Sequence, residues 1–90
     1  MQSESEILKK VIEMAAQQGG VDPNQVSAAT HFINDLNYDS LDRVEFTMAM
    51  EDEFGIHVSD EEAEQLQTVG DVVRYICEHR QPKPAEPAPR

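Results

Sequence analysis

Val69, Val72, Val73 and Ile76 fall at i, i+3, i+4 and i+7, the spacing of one face of an α-helix. Ile7, Leu8, Val11, Ile12 and Ala15 make a second such stripe near the N-terminus. No segment keeps the alternation of period two that a half-buried strand needs. An all-α fold is therefore expected. Ninety residues make one small domain. The single cysteine, Cys77, can form neither an internal disulfide nor a cysteine-based zinc site alone. Packing of helix stripes must supply the stability.

Punctuation residues set the element bounds. Ser3 with Glu6, and Ser59 with Glu62, fit the capping-box pattern that opens a helix. Asp39 is an N-cap candidate with Asp42 in the following turn, where the helix dipole favours an anion. Gly19-Gly20 and Gly55 supply helix stops. The spacing predicts helices over about residues 5–18, 40–54 and 68–79, with a short one opening at Ser59 and ending near Leu66. Residues 21–38 make a long connection, with Asp22-Pro23-Asn24 as turn chemistry and Val26, Phe32, Ile33 and Leu36 as its apolar pins. Residues 82–90 hold four of the five prolines and read as a tail. The expected architecture is a small four-helix bundle, three main helices plus one short helix, with a long first loop. The expected division is a domain over residues 1–80 and a Pro-rich flexible tail over 81–90.

Charge narrows the function. The formal net charge is −11. Residues 35–62 hold ten acids against Arg43 alone, a balance of −9, so one stretch carries most of the excess. Nucleic-acid binding and a polybasic membrane-surface role are excluded, because both need a basic face. No apolar run approaches a membrane span and no basic-then-apolar start marks a signal peptide, so no membrane insertion and cytoplasmic residence are expected. The acidic run reads either as a solvated face or as a steering surface for basic partners.

Most candidate chemistry fails on inspection. Asp35-Leu36-Asn37-Tyr38-Asp39 starts like a calcium loop, but Ser40 stands where glycine is needed and Phe46 where a bidentate glutamate is needed. No Gly-x-Ser-x-Gly elbow surrounds Ser40, and His31, His57 and His79 make no i, i+4 metal pair. His79 is better placed to cap a helix C-terminus. Cys77 reads as a small apolar filler at the core edge. No catalytic residue and no metal site are expected. Two apolar series run along the second main helix: Phe46, Met50 and Phe54, and, rotated from it, Leu41, Val44 and Met48. One series suits the core; the other is either more core or an exposed strip among carboxylates. Ser40, at the start of this helix, is either an ordinary terminal hydroxyl or a modification site, since free helix amides there stabilise a phosphodiester.

The ordered series Asp35-Leu36-Asn37-Tyr38-Asp39-Ser40-Leu41-Asp42-Arg43-Val44-Glu45 resembles the signature of the acyl carrier proteins, of bacterial fatty-acid type. Met48 to Gly55, Asp60 to Glu64 and Thr68 to Val73 are similar to the family's later helices. The resemblance covers about residues 3–80. It implies that a separate phosphopantetheinyl transferase places 4′-phosphopantetheine from coenzyme A on Ser40, with Asp39 and Leu41 flanking the site. It implies a non-catalytic monomer that carries acyl chains as thioesters, shelters them between its helices and presents them to fatty-acid or polyketide synthesis enzymes with basic docking patches. Leu41, Val44, Met48 and Val58 would then be the apolar docking contacts. Asp39, Asp42, Glu45, Glu51, Asp52, Asp60 and Glu64 would supply the charge. A dedicated polyketide or specialised-lipid carrier, or an unmodified helical interaction module, is the alternative. Three departures bear on this reading. Asn37 replaces a usual glycine, and asparagine tolerates the left-handed conformation. Tyr38 is expected to shield the attachment site or alter transferase and partner choice. Arg43 is expected to add a positive charge to the docking face.

Overall fold

A computed structural model describes residues 3–79. Helix α1 spans Glu4–Gly19, α2 Ser40–Phe54, α3 Asp60–Gln65 and α4 Val69–His79, with a short 3-10 turn at Pro23–Gln25. The expected bounds hold to within a residue or so, because caps set them. Ser3 Oγ accepts the Glu6 amide and Glu6 Oε1 accepts the Ser3 amide. Ser59 and Glu62 repeat that exchange at α3. Asp39 and Asp42 do the same at α2, with aspartate in the role usual for glutamate. Gly20 (φ 70°) and Gly55 (φ 67°) end α1 and α2 in the left-handed region, where a Cβ is costly. The tail at residues 81–90 lies outside the described residues.

The core sits where α1, α2 and α4 meet. It takes Ile7, Val11, Ala15 and Ala16 from α1, Phe46 and Met50 from α2, and Val69, Val72, Val73, Tyr75 and Ile76 from α4. The first loop closes the bundle with Val26, Phe32 and Tyr38, all buried. Backbone bonds tie it to the start of α4: Phe32 donates to the Gln67 carbonyl at 3.0 Å, Val69 to Thr30 at 3.0 Å and Gly70 to Ala28 at 2.7 Å. A loop of this length keeps one shape because its apolar residues are buried and its amides paired. Ile33 departs from expectation: it is exposed and pins nothing into the core.

Helix α3 contributes no buried residue, and six residues are far too few to hold a helix by propensity. It is held from outside. Arg43 on α2 reaches across and donates from Nη2 to the Ala63 carbonyl at 2.9 Å. The Tyr75 hydroxyl on α4 lies 2.8 Å from Glu62 Oε1 and 3.0 Å from the His57 carbonyl, sharing its one proton between them. Arg43 thus braces two helices, a role beyond the positive charge expected of it. Cys77 also departs from expectation, being exposed on α4. His79 does cap: its Nδ1 donates to the Tyr75 carbonyl at 2.9 Å, and its ring stacks on Tyr75 with centroids 3.8 Å apart.

Replacing Arg43 by alanine removes the brace and leaves the main core intact. Amide exchange over residues 60–66 should quicken by about tenfold, the effect of one lost charge-assisted bond, with exchange in α1 and α4 unchanged. Uniform acceleration across the domain would contradict a local brace.

Candidate functional site

The N-terminus of α2 gathers the sequence features singled out above. Tyr38 enters the core just before the helix: it is 4% exposed, and its hydroxyl donates to the Ala15 carbonyl of α1 at 2.6 Å. Its ring lies 5.4 Å from Phe32 and 6.3 Å from Phe46, while those two rings are 5.0 Å apart. Burial and the Asp42 charge push the phenol's pKa well above its ordinary value, so the hydroxyl is a donor at any physiological pH. Tyr38 therefore points inward. It neither shields Ser40 nor faces a partner; it anchors the chain two residues before Ser40.

Asn37 stands at φ 59°, among the described residues the only non-glycine in the left-handed region. That turn carries the chain from the buried loop to the helix start. Asp39 is exposed and extended, with Oδ1 accepting the Asp42 amide at 2.8 Å. Ser40 is the first residue of α2 and is exposed. In an α-helix the first amides have no intrahelical acceptor; the Asp42 amide is taken by Asp39, which leaves those of Ser40 and Leu41 directed past the helix end. An anion on the Ser40 hydroxyl would meet these amides and the positive end of the helix dipole. The surroundings thus fit a phosphodiester on Ser40 better than a free nucleophile. Among the described residues no cluster of metal-ligating side chains accompanies it.

The two apolar series of α2 part company in the structure. Phe46 and Met50 are buried and Phe54 is half-buried. Leu41, Val44 and Met48 are 61%, 53% and 61% exposed and lie along one face leading away from Ser40. Together they form an exposed apolar strip on one face of α2. Val58, expected to join them, does not: it is buried, and its amide donates to Glu51 Oε2 at 2.7 Å. The loop after α2 folds its apolar residue inward and leaves the strip to α2.

The carboxylates also divide. Glu51 is half-buried and spent on the Val58 amide, with His57 Nδ1 3.5 Å away. Asp42 is half-buried; its Oδ2 accepts the Asp39 amide at 3.2 Å and its Oδ1 accepts from Gln18 Nε2 at 3.2 Å. Asp39 is a cap. Glu45, Asp52, Asp60 and Glu64 stand exposed. Gln18 was not evident from the sequence; it lies 24 residues from Asp42, and nothing local marks it.

The chain matches the model of the phosphopantetheine attachment site family over residues 9–76, a span that contains Ser40. An acyl carrier protein of Lactobacillus acidophilus (strain ATCC 700396 / NCK56 / N2 / NCFM) is 46% identical over 78 residues, covering 87% of this chain and 98% of the relative. The chain belongs to the acyl carrier protein family. Acyl carrier proteins are carriers and not enzymes, and the covalent group of the family is 4′-phosphopantetheine. When attached, that group supplies a thiol on which acyl chains travel as thioesters between synthesis enzymes. Among the described residues no helix is long and apolar enough to cross a membrane.

Bonds from the Asp39 amide and then from Gln18 hold the Asp42 carboxyl below its ordinary pKa, against the opposing effect of desolvation. A lowered folded-state pKa contributes stability above the ordinary carboxylate value and loses it as pH falls through the folded value. Asp42→Asn should therefore melt below wild type at pH 7. The gap in Tm should close as pH falls through the lowered folded-state value, where wild-type Asp42 protonates too. A gap independent of pH would contradict this.

Proposed function

We propose that Ser40 is the attachment residue and that the protein serves fatty-acid synthesis in the cytoplasm as a monomeric carrier. In the loading step Ser40 Oγ attacks the phosphorus of coenzyme A that bears the pantetheine. A new P–O bond forms, the pyrophosphate P–O bond breaks, the hydroxyl proton passes to a base of the transferase, and adenosine 3′,5′-bisphosphate leaves. The observation that carries the reading is the exposed Ser40 at the first position of α2, mounted on a helix end that Tyr38 anchors to α1. Rigid mounting outside and a neutral, packed interior beneath suit display of a cargo to many enzymes in turn.

Docking follows from the same helix. A partner with a basic patch is drawn by Glu45, Asp52, Asp60 and Glu64, while Leu41, Val44 and Met48 supply the apolar contact that holds it. Exposed charges act mainly on encounter, and the apolar strip on residence.

The test is intact mass before and after treatment with a broad-specificity phosphopantetheinyl transferase and coenzyme A. Wild-type protein that starts unmodified should gain one phosphopantetheine, and Ser40→Ala should gain none while melting within about 2 °C of wild type, as an exposed side chain predicts. Loading of the Ser40→Ala protein would overturn the assignment.

A further inference from the structure

We propose that Gln18 on α1 is a positioning residue for the docking face of α2, fixing Asp42 and Glu45 in the arrangement that a basic partner meets beside Ser40. The inference rests on the docking reading above and adds to it a residue from a different helix. Gln18 Nε2 lies 3.2 Å from Asp42 Oδ1 and 2.9 Å from Glu45 Oε1. One amide nitrogen carries two N–H groups, so each carboxylate receives its own. The second oxygen of Asp42 accepts the Asp39 amide, so the chain of bonds runs from α1 to the residue preceding Ser40.

The chemistry of the side chain matters as much as its reach. Asp42 and Glu45 stand at i and i+3 on α2, where like charges repel. A neutral double donor draws them together and leaves both negative charges for the partner to read. Lysine at this position would draw them together and cancel one. Glutamate would add a third like charge, and alanine would release both. Glu45 is an exposed, rotamer-rich side chain; held by Gln18 it has already given up the freedom that docking would otherwise cost. The gain belongs to recognition, and the chemical step after docking owes nothing to it.

Steady-state loading by the transferase with coenzyme A tests this on apo wild type, Gln18→Ala and Gln18→Lys. KM for the carrier should rise about threefold in Gln18→Ala and about tenfold in Gln18→Lys, with kcat within about twofold of wild type. KM in Gln18→Lys should also depend less on salt. Separately, carboxyl NMR should show Asp42 titrating at higher pH in Gln18→Ala than in wild type. If wild type loads at Ser40 and both variants keep its KM, the positioning role falls while the carrier reading stands. If wild type does not load, the Ser40 reading falls. The NMR titration still judges the contact: an unmoved Asp42 overturns the inference.

Discussion

The site depends on where Tyr38 goes. A phenol buried among Phe32, Phe46 and the C-terminal half of α1, with its hydroxyl on the Ala15 carbonyl, fixes the end of the first loop against the bundle. Asn37 makes the left-handed turn that lets the ring in. Asp39 then leaves the core and caps, and α2 begins with Ser40 outside. Every feature of the outer face inherits this register. A shift of one position would rotate α2 by about 100°, turning Phe46 and Met50 out of the core and bringing neighbours such as Glu45 or Thr47 toward it.

Carboxylates on this chain do two different jobs, and their count alone does not separate them. Asp39, Asp42, Glu51 and Glu62 are bonded to backbone amides and hold the ends of α2 and α3 and the loop between them. Glu62 is held below its ordinary pKa, first by the Tyr75 hydroxyl and then by the Ser59 amide. Tyr75 is pushed in the other direction, to about 12, by burial and then by Glu62. Its neutral form is the one folding favours, so that contribution is full below the ordinary phenol value and fades as pH rises toward 12. Glu45, Asp52, Asp60 and Glu64 make no such bond to a backbone amide and face solvent. The −9 balance of residues 35–62 thus builds the platform as well as the field around it.

Much of this was legible in the residues because it is local. Capping pairs three apart, glycines at helix ends and stripes at helical spacing fix the four helices from neighbours alone, as does the match from Asp35 to Glu45 to a known signature. The rest depends on contacts across the fold. Nothing beside Tyr38 says that its ring has a cavity to fill against α1. Arg43 reads only as a positive charge on the docking face until α3 presents the Ala63 carbonyl to it. Val58 looks available for docking until the loop after α2 turns it inward under Glu51. Gln18 has no motif at all, only two carboxylates brought to it from another helix.

The central claim is that Ser40 carries acyl groups on a 4′-phosphopantetheine arm in the living cell. Fragmentation mass spectrometry of the Ser40 peptide, from protein isolated from its native cell, tests it most directly. The account predicts that this residue bears phosphopantetheine, part of it as thioesters of a fatty-acid elongation series. A Ser40 peptide that is unmodified throughout growth, or the arm on any other residue, would contradict it.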